Sequence, residues 1–462
     1  MRFLCLAAAL LVTVGCWSDG VMAPAVLPPE IQASAVAPNR HNVLSAMVTA
    51  RVRLADSVAV RYGVAGEDLG STTPAVVLVD DAMVLPVLGL AALTPYALQV
   101  VAYGGGQVVA GERLTLSTGP LPDDLPTYIA GGPDPSPGYV VFAAGRYGLV
   151  IDNTGRVVWY HRFPTGPGLN FQPQPTGRYV ARPPPSDPTQ PAQWVEIDPL
   201  GDLTRTLGCA GGLQPRFHDL LTEPDGSYWI LCDDTRTMDL SPMGGVADAR
   251  VTGTVVHQVS AAGELLFQWS PFDHFEITDL AADERAGSTV NWTHGNALEL
   301  DADGNLLVSF RNLSEITKID TRSGLVLWRM GGLRNQFTFE NVSAPAFARQ
   351  HSVRATAPGR LLLLDNLGNP AASRAERYVY DEAARTARLV GSYGSEPAIA
   401  AQLGGTTQDL PGGRTLVTFG SAGRVEEYDA SGNVVWQIEA PGYVFRAQRI
   451  HSLYRPGVGS AR

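Results

Sequence analysis

Three histidines in this chain occur in one recurring context. His218 opens His218-Asp219-Leu220, seven residues before an Asp225-Gly226 turn, and His351 opens His351-Ser352-Val353, seven before Pro358-Gly359. His294, in Trp292-Thr293-His294-Gly295-Asn296, stands nine before Asp303-Gly304. If those turns are equivalent, each histidine lies near the start of a corresponding strand, and three imidazoles distant in sequence meet in space. Arg311 ends the strand that follows Asp303-Gly304, and a hairpin there returns it alongside His294. A guanidinium beside imidazoles binds an oxyanion such as sulfate or phosphate. A neutral imidazole is also a competent nucleophile toward an ester of that anion. The competing chemistry is a metal, because three imidazoles on one axis can hold zinc or copper. Arg311 would repel that cation, and no carboxylate shares the strand position. Asp219 follows His218 directly, so strand alternation sends it to the other face. His41, His161, His257, His274 and His451 lack this context and read as structural or surface residues.

Short strands must position these residues. From about residue 128 two units alternate. One is a turn followed by an apolar strand ending in an aromatic, as in Asn153-Thr154-Gly155-Arg156-Val157-Val158-Trp159, Ser323-Gly324-Leu325-Val326-Leu327-Trp328 and Ser431-Gly432-Asn433-Val434-Val435-Trp436. The other is a Gly turn leading into an apolar strand, as in Asp303-Gly304-Asn305-Leu306-Leu307-Val308 and Pro358-Gly359-Arg360-Leu361-Leu362-Leu363. The units return every roughly 50 to 75 residues, and roughly 330 residues at that period make a six-bladed β-propeller over 128–462. Inner strands of a propeller line its central channel, so equivalent positions on different blades converge there. Residues 28–118 alternate as one β-sandwich, and Leu90-Ala91-Ala92-Leu93-Thr94-Pro95-Tyr96 resembles the corner of an immunoglobulin or fibronectin type III domain, with Tyr96 at the corner. The Pro-rich tract over 119–127 separates the two. The fold class expected is all-β, a sandwich followed by a propeller.

The bulk numbers agree with that expectation. Apolar residues make up 45% of the 462 and charged residues 17%, enough for large cores, while 49 Gly and 34 Pro punctuate the apolar runs as tight turns do. A formal charge of −11 argues against nucleic acid or an anionic membrane surface as the main partner. Met1-Arg2 and the apolar run Phe3 to Val14 read as a leader over 1–16, too short to span a bilayer. Its end, Thr13-Val14-Gly15-Cys16, resembles a bacterial lipobox, which makes Cys16 the expected lipidation site of an exported periplasmic or cell-surface protein whose membrane contact is a lipid anchor; the alternative is a plain cleaved signal with Cys16 incidental. Residues 17–27 then form a linker. Cys5 and Cys16 fall in the leader, which leaves Cys209 and Cys232. Their spacing is not that of a zinc motif, so a disulfide is expected after export, with two buried thiols as the alternative.

At the histidines the chain resembles the arylsulfotransferase family. The stretches that match are Asn291-Trp292-Thr293-His294-Gly295-Asn296 running on to Ser309-Phe310-Arg311-Asn312, then Ala348-Arg349-Gln350-His351, Leu364-Asp365-Asn366 and Tyr443-Val444-Phe445-Arg446-Ala447. The resemblance covers about 128 to 455. It implies a six-bladed propeller that moves a sulfuryl group from an aryl sulfate to a phenolic acceptor, with no nucleotide donor and no cofactor. By that match His351 attacks sulfur and carries it as sulfo-histidine, while His294 and Arg311 bind the sulfuryl oxygens. His218 assists as a donor or acid–base partner, and Trp292, Asn296 and Gln350 border the substrate. A homodimer is compatible with all of this. The chain departs from well-known periplasmic members in having no Cys near His351; Cys209 and Cys232 bracket His218 instead. The alternative function is a surface propeller that binds a ligand or protein through its channel without catalysis. An oxidoreductase ranks last, for want of repeated Trp docking motifs.

Overall fold

The computed structural model describes residues 27–368 and 371–456. The leader, Cys5 and Cys16 lie outside the described residues. The described chain is all-β, and its one α-helical segment is the single turn Pro271–His274.

The first unit is built from two facing sheets. Glu30–Pro38, Ser45–Arg53 and Ala82–Leu88 form one, and Ser57–Val64, Pro95–Gly104 and Gln107–Ser117 with two short edge pieces form the other. Strand alternation explains the packing. In Ser45–Arg53 the residues Val48, Ala50 and Val52 are buried while Thr49, Arg51 and Arg53 are exposed, and the buried set meets Val58, Val60, Leu98 and Val100 of the other sheet. The Tyr96 hydroxyl accepts a hydrogen bond from the Ala91 amide at 2.9 Å, which ties the corner to the strand after it. This unit docks on the rest of the chain through Asn39 Nδ2 to the Leu200 carbonyl at 2.7 Å and through the Leu88 amide to the Tyr454 hydroxyl at 3.1 Å.

Six sheets follow, each built on four antiparallel strands, and three of them carry a fifth strand. Their innermost strands are Phe171–Pro173, Gln214–Thr222, Gly295–Leu300, His351–Ala357, Thr406–Leu410 and Ala447–Ile450. The last of these pairs with Tyr139–Ala144, so the C-terminal strand supplies the inner edge of the first sheet. At the opposite edge Ile129–Gly131 pairs with Val434–Glu439 and joins the sixth sheet. Side chains link neighbouring inner strands. Gln172 donates to the Leu220 carbonyl at 2.9 Å, Asn296 to the Gln350 carbonyl at 2.7 Å and Gln408 to the Arg449 carbonyl at 2.9 Å. Gln214–Thr222 also packs on Gly295–Leu300, His351–Ala357 on Thr406–Leu410 and Ala447–Ile450 on Phe171–Pro173, so the inner strands form a closed ring.

Local sequence explains the regularity. Asp152 Oδ1 accepts the amides of Thr154 and Arg156, and Asp429 Oδ1 those of Ser431 and Asn433. Each turn needs a left-handed residue, and Gly155 and Gly432 supply it at φ +86° and +87°. The strand after each turn ends in a tryptophan that packs between sheets. Trp159, Trp328 and Trp436 are all at most 1% exposed. Trp159 Nε1 donates to the Pro199 carbonyl at 2.8 Å and Trp436 Nε1 to the Asn153 carbonyl at 2.9 Å. Such pairing removes the cost of burying the indole N–H.

Candidate active site

Three inner strands carry the three histidines to one place. His351 begins its strand, and His294 stands immediately before Gly295–Leu300. His218 is the fifth residue of Gln214–Thr222, inside an irregularity where the register to the neighbouring strand shifts between Pro215 and Leu220. That local break frees the segment to aim its imidazole inward. The ring centroids lie 4.9 Å apart for His218–His294 and 6.3 Å for His218–His351. Phe217 stacks on His218 at 4.0 Å, and Phe445 sits 5.8 Å from His218 and 6.5 Å from His351.

Each ring is held differently. His351 Nδ1 is 2.8 Å from Asn366 Oδ1, and Asn366 Nδ2 donates to the carbonyls of Ala401 at 2.7 Å and Gly404 at 3.0 Å. The two carbonyls can only accept, which turns the amide oxygen of Asn366 toward the ring. His351 therefore carries its proton on Nδ1 and its lone pair on Nε2. The Nε2 atoms of His294 and His218 are 3.2 Å apart and share one proton between them. Asn291 Nδ2 contacts His294 Nδ1 at 2.6 Å. His294 has φ +49°, a conformation that costs a branched or bulky residue free energy and that clusters at functional sites. The Arg311 amide donates to the His294 carbonyl at 3.0 Å, which holds this backbone turn in place.

Positive charge surrounds the rings without neutralising them. Arg311 donates to Asn312 Oδ1 at 3.1 Å and to the Gln402 carbonyl at 3.2 Å, and its buried Nε has no partner. Arg446 donates to the His218 carbonyl at 3.2 Å and to Asp219 Oδ1 at 3.0 Å. Arg216 pairs with Asp233. Burial is the main cause that lowers all three histidines, with these arginines adding to it. His351 is brought down to about 4 and His294 to about 2, and His218 falls well below its ordinary value. Above pH 5 the site holds neutral imidazoles beside fixed guanidinium charge, an arrangement suited to an anion and to nucleophilic attack.

The structure brings His218, His294, His351 and Arg311 together and separates three other residues from them. Trp292 is 1% exposed and packs edge-on against Phe272 at 5.1 Å in an apolar core. The left-handed turn at His294 sends the chain before it away from the site, so Trp292 cannot border a substrate. Gln350 is fully buried and donates to Ser309 Oγ and the Glu315 carbonyl, both at 3.0 Å. Asn296 in turn donates to the Gln350 carbonyl. Both brace adjoining strands, and each keeps a buried side-chain oxygen without a partner, as the Trp292 indole nitrogen also lacks one. Asp219 points down the ring axis, where it accepts from the Leu298 amide at 3.2 Å and meets Arg354 at 3.3 Å. A cavity of about 360 Å³ is lined by Asp219, Arg446, Arg354, Glu299 and Gln448 and by none of the imidazoles. Asn366, Asn291, Phe217, Phe445, Arg216 and Arg446 are the site neighbours that sequence reasoning passed over as site residues. Two signals pointed to them, the Phe217-His218 adjacency and the Asp365-Asn366 and Phe445-Arg446 pairs within matching stretches.

The remaining histidines lie elsewhere. His161 stacks near Trp159, His274 on Trp269, and His41 meets Asp202 at 3.0 Å. His257 is buried against Gln268, and His451 is exposed beside Arg449. Cys209 and Cys232 are bonded, with their sulfurs 1.97 Å apart. Among the described residues the groups whose ligand atoms lie close enough for one metal are Cys209, Cys232 and His257, and Asp301, Asp303 and Glu382. The three site histidines do not form such a group.

Comparison with known proteins adds a family. No curated protein matches the sequence as a relative. Solved structures align at low identity. A protein of unknown function from Bacteroides caccae is 15% identical with a TM-score of 0.42, over 68% of this chain and 98% of that one. A virginiamycin B lyase from Staphylococcus aureus is 10% identical with a TM-score of 0.38, over 67% and 87%. A regucalcin from Agrobacterium tumefaciens is 14% identical with a TM-score of 0.34, over 70% and 93%. Residues 215–441, which contain His218, His294, Arg311 and His351, match the family model described as Arylsulfotransferase (ASST), and this match supports membership of the arylsulfotransferase family.

Proposed function

We propose that this protein transfers a sulfuryl group from an aryl sulfate to a phenolic acceptor through a sulfo-histidine at His351. The observation that carries the reading is His351 itself. It is a neutral, buried imidazole with Nδ1 anchored on Asn366, so its Nε2 lone pair is free for attack beside a hydrogen-bonded imidazole pair. Family membership supports sulfuryl transfer at the level of reaction class.

In the first half-reaction Nε2 of His351 attacks sulfur and the bond from sulfur to the aryl oxygen breaks. The aryl group departs as a phenolate whose oxygen accepts a hydrogen bond from the His218–His294 pair, and it takes its proton from water. In the second half-reaction the acceptor phenol gives its proton to that neutral pair, its oxygen attacks sulfur and the N–S bond breaks, and the pair then releases the proton to water. Arg311, with its unpartnered Nε, and the neighbouring Arg446 and Arg216 charges stabilise the sulfuryl oxygens as charge develops. Phe217, Phe445 and Tyr443 give an aryl group apolar faces to lie against. Two products from two half-reactions imply ping-pong kinetics.

The wider architecture belongs to the same proposal. The ring of six sheets is a six-bladed propeller over 128–462, and the preceding sandwich over 28–118 is of the immunoglobulin or fibronectin III type. The lipobox-like Cys16 supports export and anchoring by lipid, with the site facing the periplasm or the cell exterior. Release of p-nitrophenol from p-nitrophenyl sulfate, with and without a second phenol, tests the reaction. Turnover that requires the acceptor and disappears in His351→Ala is the expected result. Hydrolysis independent of acceptor, or full turnover in the variant, overturns it.

A further inference from the structure

A second cluster of reactive side chains lies away from the three histidines. Antiparallel pairing of Tyr228–Met238 with Ala249–Val259 places Ile230 opposite His257 and Cys232 opposite Val255. Residues two apart share a face, so Cys232 and His257 project from the same side of the sheet. Cys209 approaches from the neighbouring loop with its Cα 6.1 Å from that of Cys232. Both sulfurs and a ring nitrogen of His257 lie within 4.8 Å of one another. Cys232 and His257 are 0% and 1% exposed, whereas Cys209 is partly exposed and open to a reagent. Around them are Trp194, Leu220, Ile230 and Val255, an apolar wall.

His257 is prepared in an unusual way. Its Nε2 is 3.1 Å from Gln268 Oε1, an atom that only accepts, so the ring proton sits on Nε2. Nδ1 is left with a lone pair, buried, and has no hydrogen-bond partner. An unsatisfied buried acceptor destabilises the fold unless something fills it. Metal-bound imidazoles are held in just this manner, with the remote N–H on an amide or carboxylate oxygen that fixes ring and tautomer. Burial also keeps the ring neutral, the form that binds a metal. The acidic cluster of Asp301, Asp303 and Glu382 differs, because Lys318 Nζ already fills it at 2.8 Å from Asp301 and 2.7 Å from Asp303.

We propose that Cys209, Cys232 and His257 form a redox-gated zinc site, closed as a disulfide when oxidised and able to bind the ion when reduced. A dithiol reductant supplies two electrons and two protons. The S–S bond opens to two thiols, and the reductant becomes a disulfide. Zinc(II) then displaces the two thiol protons, forms two Zn–S bonds and one Zn–N bond to His257, and takes water in the fourth position. The site lies between the second and third sheets, and Arg216 and His218 stand on the strand that Cys232 pairs beside.

The test uses the full chain, oxidised and after reduction under anaerobic conditions, titrated with zinc(II) against a chromophoric chelator and with cobalt(II) as a spectroscopic probe. The reduced protein should take up one equivalent of zinc, protect two thiols from a disulfide reagent and give thiolate-to-cobalt charge-transfer bands with tetrahedral ligand-field bands. The oxidised protein should take up none. His257→Gln should keep both thiols and lose at least 10-fold in affinity. Gln268→Met, which leaves all three ligands in place, should lose about 10–100-fold. Circular dichroism of each reduced variant separates lost binding from lost fold. Equal uptake by oxidised and reduced protein, no uptake by folded reduced protein, or unchanged affinity in folded His257→Gln overturns the proposal.

Discussion

Replacing Asn366 separates the chemistry of His351 from the mere presence of a histidine. Asn366→Leu keeps the branched skeleton of the side chain but removes the acceptor 2.8 Å from Nδ1. The ring then gains nothing from holding its proton at Nδ1, and a buried N–H without a partner costs about 1–3 kcal/mol. The proton moves to Nε2 and blocks the lone pair that the proposed attack on sulfur requires. At 1.36 kcal/mol per tenfold, the reactive tautomer falls by a factor of about 5–150, and kcat should fall with it. Asn366→Asp behaves differently. Its second oxygen would face the carbonyls of Ala401 and Gly404, which accept from the amide at 2.7 and 3.0 Å in the native protein. Oxygen against oxygen is repulsive, so that carboxyl is held protonated, donates to one carbonyl and still presents an acceptor to Nδ1. It should retain most of the native rate. The assay is p-nitrophenol release with saturating acceptor, with the His351 tautomer read by nitrogen-15 NMR and assigned by difference with His351→Gln. Native kcat in a folded Asn366→Leu protein, or equal loss in both variants, refutes the reasoning.

Other consequences follow from the same geometry. The acid limb of kcat/KM should lie near pH 4 rather than near 6.5, because His351 is held down to about 4 and is the nucleophile only when neutral. Stability carries the matching sign. The unfolded chain protonates its histidines near 6.5 and the folded site does not, so stability present above pH 6.5 falls as pH drops toward 4, by roughly 3 kcal/mol for His351 alone. Urea unfolding at pH 7 and 4.5 reads this, and the pH dependence between them should shrink in His351→Gln. Arg311→Lys keeps the charge but loses the planar donor set, and should lower kcat/KM about 10–100-fold in the transfer assay. Trp292→Leu should cost about 3 kcal/mol in urea unfolding and leave kcat within twofold, because the indole fills an apolar core and touches no imidazole.

What the sequence revealed depended on periodicity. Asp and Gly turns at Asp152–Gly155, Asp320–Gly324 and Asp429–Gly432 recur because each sheet needs the same left-handed corner, and the tryptophans after them recur because each gap between sheets needs the same filler. Counting from the Asp303-Gly304 and Pro358-Gly359 turns placed His294 and His351 at the head of inner strands, where the structure has them. His218 sits deeper in its strand, since an irregular pairing between Pro215 and Leu220 breaks the count. Trp292 misled for a related reason. Proximity to His294 suggested a shared pocket, but a backbone φ of +49° at His294 is invisible in residue types and turns the two side chains apart. Asn366 follows the strand that pairs with that of His351, so the hairpin between them brings it to the ring. Arg446 and Phe445 come from another sheet, and nothing in local spacing joins them to His351, so only the closed ring shows that contact.

The ring closure also explains how a strained, charged and apolar site can persist. Three imidazoles packed among guanidinium groups do not attract one another, and His294 holds a costly backbone angle. What fixes them lies in the frame. Arg446, on the C-terminal strand, donates to the His218 carbonyl and pairs with Asp219, which also binds the Leu298 amide and Arg354. One buried carboxylate thus ties the inner strands that carry His218, His294, His351 and the closing strand. Removing it would leave Arg446 buried without its partner, at a cost of about 3–5 kcal/mol. Asp219→Asn should therefore lower both stability and kcat, while the low proton affinity of His351, set mainly by burial, stays nearly unchanged. If the variant instead keeps native kcat at reduced stability, the site is held by local contacts and the strand network serves folding alone.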